Sequence, residues 1–278
     1  MTRPNIIARH RASLNGVLRA CLYSSTALGI RKPYYVYEPP QVKTHMDLPV
    51  IYLFRGHERE WVNIDEDSSR TMSTAIEDID KAITLGMIPP ILVVMPGLNS
   101  ANNHVPSLGI NMVGQWPKSL KGLGSGNFWD FLTEELMPAI KARYPQTRPR
   151  SMAAGFSLGG FTTSLLAISK PQLFERVAIY DGLFMWPEYH DPRATPDEAY
   201  NDTIWTKGGL FHPAFGNPRI EPALRQWNPT DKIISANEDQ LAALRQTTWS
   251  ISCAVSDGQH GNRDRAEYYR DLLMSKEI

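Results

Sequence analysis

The apolar positions of the chain fall into short runs separated by stretches of helical periodicity. Pro49–Phe54 and Ile91–Met95 are almost wholly apolar, which predicts strands buried on both faces of a parallel sheet. Arg55-Gly56 ends the first and Pro96-Gly97 the second. Ser151–Phe156, Arg176–Tyr180 and Thr247–Val255 read as further strands. Gly16–Tyr23 and Pro33–Tyr37 are earlier candidates, the latter stopped by Pro39-Pro40. Helical spacing fills the intervals. Thr74 and Glu77 form a capping box before Ala75, Ile76, Ile79, Ala82 and Ile83, and Gly86 with Pro89-Pro90 ends that helix. Phe128–Tyr144, Ser157–Ser169 and Arg263–Met274 are the other predicted helices. Strands alternating with helices imply an α/β architecture, a doubly wound and mostly parallel sheet. In such sheets ligands sit beyond the carboxyl ends of the strands.

Two stretches break the alternation. Residues 98–127 show no periodicity, are rich in Gly, Asn and Ser, and are too long for a plain connection. Residues 184–237 carry Trp186, Tyr189, Trp205, Phe211, Phe215 and Trp227 among many prolines, and read as a cap or insertion within one domain spanning 1–278.

Composition narrows the function classes. Lys plus Arg and Asp plus Glu number 29 each over 278 residues, so the net charge is zero and neither nucleic acid nor a membrane surface is favoured. The expected partner is a small, weakly charged molecule. Cys21 and Cys253 are too few for a disulfide framework or a zinc ribbon and are expected as buried thiols. No apolar run is long enough for a transmembrane helix or a signal peptide, which makes a cytoplasmic location the expectation. No metal motif occurs, so neither metal nor cofactor is expected. The Gly122–Gly126 run lacks the Lys-Ser/Thr of a phosphate loop.

One motif carries chemistry. Gly155-Phe156-Ser157-Leu158-Gly159 is a G-x-S-x-G sequence with a strand before it and a helix after it. In that context Ser157 occupies a strained turn that lifts its hydroxyl above the sheet, and the glycines let strand and helix backbones approach. The backbone N–H of Leu158 then faces a developing oxyanion. A second donor is expected from the loop after Phe54, where Arg55-Gly56-His57 offers the N–H of His57. As a base, the His57 side chain comes too early for the chain order Ser, acid, His.

With the elbow stand YYVYEP (34–39), PVIYLFRGHEREW (49–61), ILVVMP (91–96), ELMPAI (135–140), AGFSLGG (154–160) and PQLF (171–174). Together these segments resemble the putative-esterase family of the α/β-hydrolase superfamily, which holds enterochelin esterases, feruloyl esterases and S-formylglutathione hydrolase. The resemblance implies an α/β-hydrolase fold and a serine esterase that works through an acyl-enzyme on Ser157. Three departures stand out. Arg55-Gly56 replaces the family's His-Gly, and Asp181-Gly182 replaces its Ser-Gly. The family's last strand and catalytic His, which follow the final helix, have no counterpart before Ile278.

The base must therefore come from within the chain. His260, after the strand ending at Val255, is the best-placed imidazole beyond Ser157, and Asp181 and Asp257 are the acid candidates. Trp116, Trp186 and Trp205 are candidates for contact with an aromatic or sugar ester. The reading is a carboxylic-ester hydrolase with a small-molecule substrate. Its alternatives are a catalytically silent or truncated hydrolase-fold binder and an acyltransferase; homo-oligomerisation is left open.

Overall fold

The computed structural model describes residues 8–67, 69, 72–189, 208–254 and 262–278. Its strands are β1 (Val17–Ser25), β2 (Ile30–Glu38), β3 (Val50–Phe54), β4 (Leu92–Pro96), β5 (Ser151–Phe156), β6 (Phe174–Tyr180) and β7 (Thr248–Ser252). They form one sheet in the order β1-β2-β4-β3-β5-β6-β7. The first two strands are an antiparallel hairpin, β2 runs antiparallel to β4, and every later pairing is parallel. β2 begins at Ile30, earlier than the pattern predicted, and carries Pro33 inside it. The ring is tolerated because pairing with β4 starts only at Tyr34, opposite Pro96, so Pro33 lies just beyond that ladder.

The wholly apolar strands are the central ones. All of β4 and most of β3 are buried because both faces of the sheet are covered there. On one face α1 (Ala75–Thr84) lays Ile76 and Ile83 against Tyr35, Tyr37, Val93 and Met95. The Thr74 hydroxyl accepts the N–H of Glu77, and the Glu77 carboxylate accepts the N–H of Thr74, as the capping box requires. On the other face lie α2 (residues 128–143), α3 (Leu158–Ser169) and α8 (Asn262–Ser275), joined through Phe128, Phe131, Leu136, Phe161, Leu165 and Tyr269. Burying each such side chain is worth about 1.5–3 kcal/mol. The middle of α2, Phe131–Leu136, winds as a π-helix. α1 does not reach β6 and β7, where Ala178, Tyr180, Ser250 and Ser252 stay exposed on its side of the sheet.

The long aperiodic loop is fixed from β2. Lys32 is buried, lies over the Phe128 ring and donates to the carbonyls of Asn99 and Gly122. Burial pulls its amine down to about 8. Gly122, Gly124 and Gly126 all take positive φ, which identifies that run as turn-forming. The region between β6 and β7 supplies α4 (Gly208–Phe215), α5 (Glu221–Trp227), α6 (Pro229–Ile234) and α7 (Glu238–Leu244). Its described part packs on the helical layer, with α6 against α3 and α8 and with Trp227 against Trp129. Cys21 and Cys253 are unbridged and half-buried, less enclosed than the apolar runs around them suggested.

Candidate active site

Ser157 stands between β5 and α3 with φ 54° and ψ −120°. A non-glycine residue there costs of order 1–3 kcal/mol and persists only where its surroundings enforce it. The surroundings are the two glycines of the motif. A Cβ at Gly159 would overlap the carbonyl of Phe54, and one at Gly155 would overlap the carbonyl of Gly159. β3, β5 and α3 therefore meet at backbone contact, and the chain can turn only by pushing residue 157 out of the sheet. Ser157 is half-buried, not enclosed. Leu158 opens α3, where the first N–H groups of a helix have no partner within it.

Asp181 occupies the matching position on the next strand. Phe156 pairs with Tyr180, so Ser157 and Asp181 are the residues that follow a registered pair, and the Ser157 N–H donates to the Tyr180 carbonyl at 3.3 Å. Asp181 also has a positive φ, 46°, and its N–H donates to the Ser252 carbonyl at 2.8 Å, which ties the ends of β6 and β7 together. A cavity of about 520 Å³ lies beside Asp181 over the face of the sheet that α1 leaves bare, lined by Arg55, Trp61, Phe156, Tyr180 and Asp181 among others; Ser157, Leu158 and His57 are not part of its lining.

The loop after β3 is dominated by charge. The Arg55 guanidinium is buried, lies 4.5 Å from the Phe156 ring centroid and bridges two carboxylates, Glu60 at 2.5 Å and Asp67 at 2.9 Å. It also donates to the Ser69 hydroxyl at 3.0 Å. Glu60 in turn accepts the N–H of His57 through Oε1 at 2.9 Å. The backbone donor that the sequence offered for an oxyanion is thus held by a carboxylate of its own loop. Burial pushes the His57 imidazole down to about 4, aided by Arg59 and Arg55 and opposed by Glu66, whose Oε2 lies 3.6 Å from Nδ1. Burial raises the Glu60 carboxyl from its ordinary range, against the pull of Arg55 and the His57 N–H.

Of the residues singled out in the sequence, the fold brings Ser157, Leu158, Asp181 and the Arg55–His57 loop to one edge of the sheet. β7 is parallel to β6, so Ser252 ends at that same edge. Asp257 and His260 follow it in the chain and lie outside the described residues, as does Trp205. Trp186 requires a correction as a substrate contact. It is 4% exposed, packs edge-on to Tyr268 at 5.3 Å, and its carbonyl accepts from the Asn228 amide, so it anchors the insertion to the body. Trp116 is half-buried and packs on Gly126 within the long loop. The Arg55–Glu60–Asp67 group was not anticipated. Its signal is the charge-dense RGHEREW directly after an apolar strand, a place where solvated charge is the ordinary reading.

The mixed, mostly parallel seven-stranded sheet with helices on both faces is the α/β-hydrolase type of fold. The family model described as Putative esterase matches residues 25–277, and the chain belongs to that family of ester-hydrolysing enzymes. Among solved structures it is similar to a ferulic acid esterase at 17% identity, with a TM-score of 0.63, covering 96% of this chain and 88% of that one. It is also similar to the S-formylglutathione hydrolase of Agrobacterium tumefaciens at 16% identity and TM-score 0.55, covering 96% and 97%. A third is the ferulic acid esterase AmCE1/Fae1A of Anaeromyces mucronatus, determined with ferulic acid, at 16% identity and TM-score 0.56, covering 98% and 83%. At these identities the likeness extends to the fold. No curated relative matches the chain.

Proposed function

We propose that this protein hydrolyses small carboxylic esters through an acyl-enzyme on Ser157. The Ser157 oxygen attacks the ester carbonyl carbon while His260 takes its proton, and the tetrahedral oxyanion is held by the N–H groups of Leu158 and His57. The carbon–oxygen bond to the leaving alcohol then breaks, and His260 returns the proton to that alcohol. Water, activated by the same imidazole, releases the acid and restores the serine. Asp181 is the favoured acid to orient His260, because it flanks Ser157 on the neighbouring strand end. Asp257 is the other candidate. The observation that carries this reading is the strained backbone of Ser157, enforced by glycines on both sides.

Trp61, Phe156 and Tyr180 line the cavity beside Asp181, and an ester whose flat apolar part extends from Ser157 into that cavity would be favoured. This agrees with the ferulic acid esterases that share the fold. The test is p-nitrophenyl acetate hydrolysis followed from the first turnover. Wild type is expected to release a burst of p-nitrophenolate equal to the enzyme present, and Ser157→Ala to release none. Burst and turnover surviving in Ser157→Ala would move the chemistry elsewhere. A wild type with neither would favour a binding protein on the hydrolase fold.

A further inference from the structure

The oxyanion loop holds a carboxylate clamped on both oxygens. Glu60 Oε1 accepts the His57 N–H at 2.9 Å, and Glu60 Oε2 lies 2.5 Å from Arg55 Nε. Gly56 makes room for it, since a Cβ there would meet Glu60 Oε1 at 2.5 Å. Arg55 cannot easily let go. It is enclosed by the rings of Trp61 and Phe156 and anchored at its other end by Asp67, whose side chain is fully buried. The loop therefore places a carboxyl oxygen, which Arg55 draws toward its charged form and burial away from it, on the N–H that the proposed mechanism assigns to the ester oxyanion.

We propose that Glu60 is a positioning residue that occupies the second oxyanion donor, so that acylation proceeds only when the substrate carbonyl displaces the Glu60 carboxylate from the His57 N–H. The proposal rests on the esterase reading of Ser157 and on His57 as its second donor. The physics has a definite sign. An oxyanion forming at Ser157 competes with Glu60 for one hydrogen and is repelled by its charge. One preorganised oxyanion donor is worth about 10²–10³ in rate. Arg55 acts as the latch that keeps the carboxylate in place. Displacement leaves Glu60 Oε2 on Arg55, so the clamp opens by a side-chain rotation and needs no movement of β3.

The opposite reading is that Glu60 merely caps the short helix Glu58–Trp61, to which His57 is the N-cap. The two readings differ in direction. Glu60→Gln removes the charge and keeps the shape; Glu60→Ala removes both. Each variant is compared with wild type for the rate of the p-nitrophenyl acetate burst, for KM, for the rate of labelling by a fluorophosphonate, and for melting temperature. The expected result is an acylation rate raised about tenfold or more in both variants, Glu60→Ala the faster, with KM within about twofold. If Glu60→Ala does not fold, Glu60→Gln decides alone. Unchanged or slower acylation in folded Glu60→Gln, with wild type still labelled on Ser157, overturns the proposal and leaves the esterase reading standing. Absence of labelling in wild type and both variants overturns both. Labelling of Ser157 that is faster in the variants than in wild type supports the clamp.

Discussion

The serine turn and the loop that faces it are built on opposite principles. Gly155–Gly159 is held by what is missing, the two side chains whose Cβ atoms would overlap backbone. Arg55–Asp67 is held by what is present, a buried guanidinium between two carboxylates. Backbone contact leaves the turn only one conformation, so the position of Ser157 is rigid. Side-chain ion pairs can exchange partners, so the donor on His57 is adjustable. Under the proposed mechanism, a centre assembled from one rigid and one adjustable half would keep its nucleophile fixed while its anion site answers to the ligand.

Substitutions that break either half should fail in different ways, and the largest effect belongs to the turn. Ser157→Ala is expected to lower kcat/KM for p-nitrophenyl acetate by about 10⁴-fold or more at unchanged melting temperature. Gly159→Ala should cost more than about 4 kcal/mol or prevent folding, because the new methyl meets the Phe54 carbonyl and not a yielding side chain. Urea unfolding measures it. Arg55→Met removes the guanidinium that bridges Glu60 and Asp67 and should cost about 3–5 kcal/mol. Adding Asp67→Asn to that variant should recover part of the loss, a coupling the turn cannot show because nothing there is charged. Thr74→Ala, remote from both halves, should cost about 1 kcal/mol from the lost cap and leave acylation unchanged.

The smallest effect concerns acid. Burial would raise Glu77 and Asp80, but donors outweigh it and hold both below their ordinary range. Glu77 accepts the N–H groups of Thr74, Arg11 and Ala12, and Asp80 those of Asn15 and Gly16. Depressed carboxylates contribute stability that is complete above their unfolded values and is lost as pH falls through their folded ones. Melting temperature should therefore drop below about pH 4, beginning with the N-terminal segment 8–16 that these two residues tie down. Glu77→Gln should weaken that acid sensitivity, and an unchanged acid limb would deny the two carboxylates this part.

The same contrast explains what could be read from the chain alone. The turn was legible because its requirements are local: two glycines, a serine, a strand before and a helix after. The buried strands Val50–Phe54 and Leu92–Pro96 and the capped helix Ala75–Thr84 were legible for the same reason, since burial on both faces and a reciprocal cap each leave a short pattern. The clamp was not, because Arg55 acquires its meaning from Asp67 and from the Phe156 ring, and an isolated charged heptad looks solvated. Trp186 misled because aromatic residues in an insertion look alike whether they line a cleft or, as this one does, pack against Tyr268. The antiparallel placement of β2 beside β4 was hidden as well, since strand order depends on crossovers that no local pattern records.

Mass spectrometry of the protein after reaction with a fluorophosphonate asks directly which atom attacks the ester. One adduct per chain is expected, mapped to the peptide bearing Ser157 and absent from Ser157→Ala. An adduct on any other residue, or an intact protein carrying none after long exposure, would contradict Ser157 as the nucleophile.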